Sequence, residues 1–437
     1  MTVETHLTRY SLRTSVRPMT VEDVYDSDRV AEQALSRAVR TLVLARAVNR
    51  VGAFTLSFLS VLLVDDLGAT LPQAGWVVTA FGLATIPSRL LGGRLADRWG
   101  RVPTIVLGLV GCAAAQLWIA ASATLTSALL GAIGLGLVFE LYEPPSQALV
   151  ADLTTEAQRP RAYGLLTAAL AVAGAVAGLL ALAIGTLDLR WLLVTDAVTC
   201  LGAAVLVLLL VHEPASGPTS RPSETSSEDD GRRTTPVSAW RDRRLLAMLA
   251  AGTLFALAYM CVILGLPLTL AARGLPPEHA GVVLTVSAVT MVAAQPLLRL
   301  RVLHGSGGGG DGFRALTIGY VVLAAGLASA AVATHLAAFC AAAVVWSVGD
   351  LLLMGHAWTI VSRLAPPGSR GAYLAAYGLS WGVATVVAPL VTTGLLAHGG
   401  PGALWSAVAG LALCLAAGQP ALARLCRAPV PTLPVSD

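Results

Sequence analysis

Apolar stretches close to twenty residues long recur from about residue 42 to about residue 427. A helix of that length spans roughly 30 Å, the hydrocarbon thickness of a bilayer. A soluble core can hide one or two such stretches, not a succession of them. In lipid the backbone must satisfy its own hydrogen bonds, so apolar stretches of this length are expected as helices. Composition agrees: 56% of the residues are apolar and 12% charged, against about 25% charged in soluble domains. The expected class is an all-α membrane protein.

Spans of about twenty residues centre near Phe54, Phe81, Gly111, Leu135, Ala173 and Leu201, then near Met260, Val289, Leu323, Val348, Thr385 and Leu411. That reading is twelve transmembrane helices in two pseudo-symmetric six-helix halves, residues 41–212 and 241–427. Residues 213–240 between them are rich in Pro, Ser, Thr and charge and read as a flexible linker, because so little apolar surface cannot fold alone. Residues 1–40 read as a polar arm with a short amphipathic helix near 24–35, and residues 428–437 as a tail. Short matches relate the halves. Gly68, Ala74 and Gly75 recur as Gly274, Ala280 and Gly281; Glu140 with Ala162-Tyr163 recurs as Asp350 with Ala372-Tyr373.

Every basic side chain other than histidine is arginine, which we read as coding bias. The net charge of +4 gives no reason to expect nucleic acid. With an even number of spans, nearly all arginines fall on one side and only Arg190 and Arg273 on the other. The positive-inside rule then places both termini and the linker in the cytoplasm of a multi-pass cell-membrane protein. The six cysteines have no paired spacing and read as small buried thiols, with no metal pattern and no disulfide framework. No nucleotide cradle is present either, since Gly307–Gly310 lacks the Lys-Ser/Thr that phosphate binding uses. No cofactor is expected.

The connection between the second and third spans reads Gly92-Gly93-Arg94-Leu95-Ala96-Asp97-Arg98-Trp99-Gly100-Arg101. The pattern Gly-x-Leu-Ala-Asp-Arg-x-Gly-Arg resembles the signature loop between helices 2 and 3 of the major facilitator superfamily of transporters, and the chain is similar to its bacterial multidrug efflux members. The resemblance implies two six-helix halves with a substrate site between them, alternating access, and a monomer. It also implies a conformational latch of Gly93, Asp97, Arg98, Gly100 and Arg101. In it Asp97 would contact a neighbouring helix terminus in one conformation, Gly93 would allow close packing, and Gly100 a tight turn. Asp97 and Arg101 stand four apart and meet if the loop begins a helical turn. The second half keeps no intact copy; Leu298-Arg299-Leu300-Arg301 leads into the glycine run.

Charges inside spans are costly and need partners or water. Arg46, Asn49 and Arg50 fall on one face of the first span, and Glu140, Glu143 and Gln147 on one face of the fourth, at similar depth. An ion-pair cluster between them is expected. Pro144-Pro145 removes two backbone donors and clashes with the carbonyls of Glu140 and Leu141, so that helix is kinked or ends there. Asp350 is the second-half partner of Glu140, and with His356 it offers a proton path. Asp196 reads as structural. Tyr142, Tyr377 and Trp381, with Gln147 and His356, are candidates for lining a substrate cavity.

Two departures from the family pattern stand out. Many drug–proton antiporters of the family carry an arginine in helix 4, where this chain has glutamates. The Gly-Pro of the helix 5 antiporter signature is absent, though Gly164, Gly174 and Gly178 remain. The expected function is proton-coupled export of small, partly apolar compounds. Proton-coupled uptake of a sugar or organic acid is the alternative, and a membrane-embedded lipid-modifying enzyme a remote one, since the histidines are scattered. The expected partners are the lipid bilayer, a small-molecule substrate and protons.

Overall fold

The computed structural model describes residues 35–155, 158–211, 240–299, 311–366 and 370–427. Most of the expected arm, its short helix, the linker apart from Trp240, the tail and the glycine run at 307–310 lie outside the described residues. The first half comprises α1 (Arg37–Val51), α2 (Thr55–Asp65), α3 (Leu71–Trp99), α4 (Arg101–Ala120), α5 (Leu125–Phe139), α6 (Glu143–Asp152), α7 (Arg159–Gly185) and α8 (Arg190–Leu210). The second comprises α9 (Arg243–Ala272), α10 (His279–Ala293), α11 (Asp311–Val332), α12 (Leu336–Leu364) and α13 (Arg370–Arg427). Among the described residues there is no strand, and the chain is an all-α membrane protein.

Among the described residues, ten stretches are long and apolar enough to cross a bilayer, and one of them, Ala376–Cys426, is long enough for two crossings. The expected span at Val289 is the 15-residue α10 followed by a 3-10 turn at Gln295–Arg299. The spans expected at Thr385 and Leu411 are the two arms of α13, which meet at a non-helical residue, Gly400. Its 58 residues bend at Gly400, where φ is 68°; unbent, such a helix would be about 87 Å long.

The first and fourth expected spans are each broken, and both breaks lie at the site described below. One separates α1 from α2 at Gly52–Phe54. Gly52 lies against α8, where a Cβ would strike the Thr199 hydroxyl. The other separates α5 from α6 at Glu140–Tyr142, with Pro144 and Pro145 opening α6. Proline fits the first turn of a helix because its missing N–H has no intrahelical partner there.

Three seams join the halves: α2 on α9, α3 on α13, and α7 on α10. Gly178 and Gly281 face each other so closely that a Cβ on either would strike the other's carbonyl. Thr285 donates to the Ala175 carbonyl at 3.0 Å and Thr79 to that of Val386 at 3.2 Å. These approaches lie in the part of the bundle away from the Gly92–Arg101 connection, so the halves are closed at that far end. The repeated motif marks equivalent places. Gly68 (φ 64°) and Gly274 (φ 73°) turn the chain after the first span of each half, and Gly75 and Gly281 enter the seams.

Arg190 and Arg273, the two arginines at the far end, each cap a helix. Arg190 donates to the carbonyls of Ala120 (2.8 Å) and Ser122 (3.0 Å) after α4 and pairs with Asp66 at 2.9 Å. Arg273 donates to the carbonyls of Ala330 (2.9 Å) and Ala331 (2.5 Å) at the end of α11. A guanidinium supplies the donors that terminal carbonyls lack. The cysteines form no disulfide, and Cys112, Cys200 and Cys261 are buried, whereas Cys340 and Cys426 are half-buried and Cys414 is exposed.

Candidate functional site between the halves

Arg46 on α1 donates to Glu143 at the start of α6, forming an ion pair. Its guanidinium also lies over the ring of Tyr142, 5.0 Å from the centroid. Gln147, one turn along α6, donates to the other oxygen of Glu143 at 3.1 Å. The Tyr142 hydroxyl donates to Asn49 at 3.2 Å, and the Asn49 amide donates to Cys200 on α8 at 3.2 Å. Helix α1 is thus tied to α6 and α8 by polar contacts along the face that carries Arg46 and Asn49.

Glu140 and Arg50 stand apart from this knot. Glu140 caps α5, and its backbone N–H donates to the Ser88 hydroxyl at 3.1 Å. Glu140 and Glu143 do not share a helix face, because the break at residues 140–142 lies between them. Among the described residues neither the Glu140 carboxylate nor Arg50 forms an ion pair. Arg89 on α3 and Arg46 interact electrostatically with Glu140. Arg50 is exposed and interacts electrostatically across the halves with Tyr259 on α9.

In the second half, Asp350 is 5% exposed on α12, and its Oδ1 is buried with no hydrogen-bond partner. Tyr259 interacts with it as well as with Arg50. Trp381 stands edge-on to Tyr259, with centroids 5.3 Å apart, and Phe255 meets Tyr259, Tyr320 and Trp381 at 6.2–6.4 Å. Asp350 of this half and Arg50 of the other thus both act electrostatically on Tyr259, a member of the aromatic cluster.

Tyr377 and His356, also expected to line a cavity, make other contacts. Tyr377 is 4% exposed and packed in the second-half core, edge-on to Trp358 at 5.0 Å and against Gly252. His356 bonds through Nδ1 to the Leu352 carbonyl at 2.7 Å and does not join Asp350. Six residues turn a helix through about 600°, which puts the two side chains on different faces.

The signature segment is helical almost to its end. Helix α3 runs through Trp99, and Gly100, at φ 96°, alone separates it from α4. That left-handed residue interrupts the spacing between Asp97 and Arg101. Arg101 instead forms an ion pair with Asp152 at the end of α6, whereas Asp97 and Arg98 are exposed. Gly93 has open space where its Cβ would be. The close approach belongs to Gly92, whose Cβ would lie 2.6 Å from the Leu141 carbonyl.

The repeated tyrosines tie down the same end of each half. Tyr163 donates to the Gln147 carbonyl at 3.0 Å, and Tyr373 to Asp242 at 2.9 Å. Asp242 caps α9. Burial opposes its charge, but hydrogen bonds from the Arg244 side chain and backbone and from Tyr373 hold its carboxyl below the usual carboxylate range.

Sequence reasoning missed Arg89 and the surroundings of Asp196. A charge inside the second apolar run was the available signal for Arg89.

The family model described as Major Facilitator Superfamily matches residues 42–304. The chain belongs to the Major Facilitator Superfamily. It is 24% identical over 390 residues to an uncharacterised MFS-type transporter, YqjV of Bacillus subtilis (strain 168), covering 85% of this chain and 90% of that one. It is 27% identical over 354 residues to multidrug resistance protein MdtH of Aeromonas salmonicida (strain A449), covering 75% and 83%. The fold is similar to that of the nucleoside transporter NupG, with a TM-score of 0.70 at 13% identity over 89% of this chain and 99% of that one.

Proposed function

We propose that this superfamily member exports small, partly apolar compounds across the cell membrane in exchange for protons. It works as a monomer, its two halves opening alternately to either side. The observation that carries this reading is Asp350, buried with an unpartnered oxygen and acting electrostatically on Tyr259. A carboxylate in lipid surroundings must be paired, hydrated or protonated, and one that changes between these states can couple proton movement to opening. The aromatic cluster around Trp381 suits a partly apolar substrate, and Arg50 offers a polar contact from the other half. The multidrug-resistance relative supports export.

On this reading the Gly92–Arg101 end faces the cytoplasm, as the arginine distribution favours, and the seams hold the outer side closed. Arg101 with Asp152 is the engaged part of the latch, and Asp97 and Arg98 are free to engage in the other conformation.

The test is ethidium and antibiotic accumulation in an efflux-deficient host. Expression of the protein is expected to lower accumulation, and Asp350→Asn to restore it at unchanged protein level. Equal accumulation with and without the protein, for every compound tried, would sink the exporter reading.

A further inference from the structure

We infer that Asp196 is a proton-carrying carboxylate of the first half, distinct from Asp350. It lies on α8 and is 4% exposed. Its Oδ2 accepts from the Thr55 hydroxyl at 2.7 Å, and the Cys200 thiol lies 3.8 Å from Oδ1. The groups facing it are Thr55 from α2, Gln116 and Cys112 from α4, and Cys200 of its own helix. Among the described residues no basic side chain forms an ion pair with it. Arg190, one and a half turns away, is occupied by Asp66 and by the carbonyls after α4. The Thr55 backbone and the Gln116 amide also donate to it, but all of these donors are neutral, and a buried carboxylate without a counter-ion is relieved by taking up a proton.

Gln116 supplies a second, independent observation. It is 2% exposed. Its amide nitrogen donates to the Thr55 oxygen at 3.4 Å, while its Oε1 is buried with no partner. The cluster is thus short of one donor, which a proton taken up by it would supply.

The surroundings also give the site a direction. Towards the Gly92–Arg101 end, the polar contacts continue from Cys200 through Asn49 to the Tyr142 hydroxyl. Towards the far end the space between α2 and α8 is walled by Phe54, Phe58, Leu189 and Leu192 and has no room for a water molecule. Exchange of the Asp196 proton with water is therefore assigned to the polar side rather than through the apolar wall. One O–H bond forms or breaks, and water gives or takes the proton.

The use of this proton rests on the proton-coupled reading above, but its detection does not. The experiment is infrared difference spectroscopy of the full-length protein in lipid at neutral pH, with no substrate and no gradient. The wild type is expected to show the carbonyl stretch of a protonated carboxyl that Asp196→Asn removes and Asp350→Asn leaves. Thr55→Val is expected to move that band to higher frequency, since the carbonyl loses its donor. This conservative variant keeps the test open if the asparagine variant does not fold. A spectrum unchanged in both Asp196→Asn and Thr55→Val overturns the assignment. So does a band that sodium chloride abolishes at fixed pH, which marks a sodium site. If the band behaves as expected but proton-driven transport fails, the assignment stands and only the exporter reading falls.

Discussion

Glu143 and Glu140 are three residues apart but differently held. Glu143 has Arg46 and Gln147, whereas Glu140 has only the more distant field of Arg89 and Arg46. Glu143→Gln leaves a largely buried guanidinium without its counter-charge, which should cost about 2 kcal/mol. Glu140→Gln should cost clearly less stability. Thermal unfolding in detergent compares them, and equal losses would contradict the assignment of the pair to Glu143. Spacing within a helix was enough to find Arg46, Asn49 and Glu143, because positions three and four apart share a face. It misled where the helix breaks between Glu140 and Glu143, and where six residues separate Asp350 from His356. The isolation of Asp196 could not be read from sequence, because Thr55 stands 141 residues from it and only the fold brings them together.

Among the elements, the seams depend on backbone contact. Gly178 and Gly281 admit no side chain between α7 and α10. Gly281→Leu should therefore disfavour the far-end closure and draw the opposite ends together. Spin labels at Arg94→Cys and Arg363→Cys, both exposed, with Cys414 replaced by serine, should show a shorter distance in this variant. An unchanged distance would mean that the seam does not govern the opening. Asp242 tests a cap. Its carboxyl is held below the usual carboxylate range, so its contribution is complete above roughly pH 4 and is lost as the pH falls through the lowered folded value. Asp242→Ala should cost about 1 kcal/mol at neutral pH, and the difference from wild type should shrink in acid. Denaturant unfolding at the two pH values measures both. The element plan was legible from run length, and the broken fourth span from Pro144-Pro145. The break at Gly52 was not, since it depends on contact with α8. Nor was the partner of Arg101, because Gly100 redirects a side chain that helical spacing would have turned towards Asp97.

At the scale of the whole molecule, two halves meet at one end, and Arg50 of the first and Asp350 of the second both act electrostatically on Tyr259. The resemblance carried by Gly93–Arg101 was enough to place the chain in its superfamily. The weak internal repeat located equivalent turns and seams, because Gly68 and Gly274 perform one backbone task in each half. Coupling and direction depend on how buried charge changes between conformations, which motif spacing does not encode. The decisive measurement is proton release from inverted membrane vesicles acidified inside, on addition of ethidium or puromycin outside. Wild-type protein should release protons as the compound enters, and Asp350→Asn should release none while remaining in the membrane at normal level. Compound entry that proceeds equally without the pH gradient, or an Asp350→Asn variant that exchanges protons like wild type, would contradict proton-coupled export through Asp350.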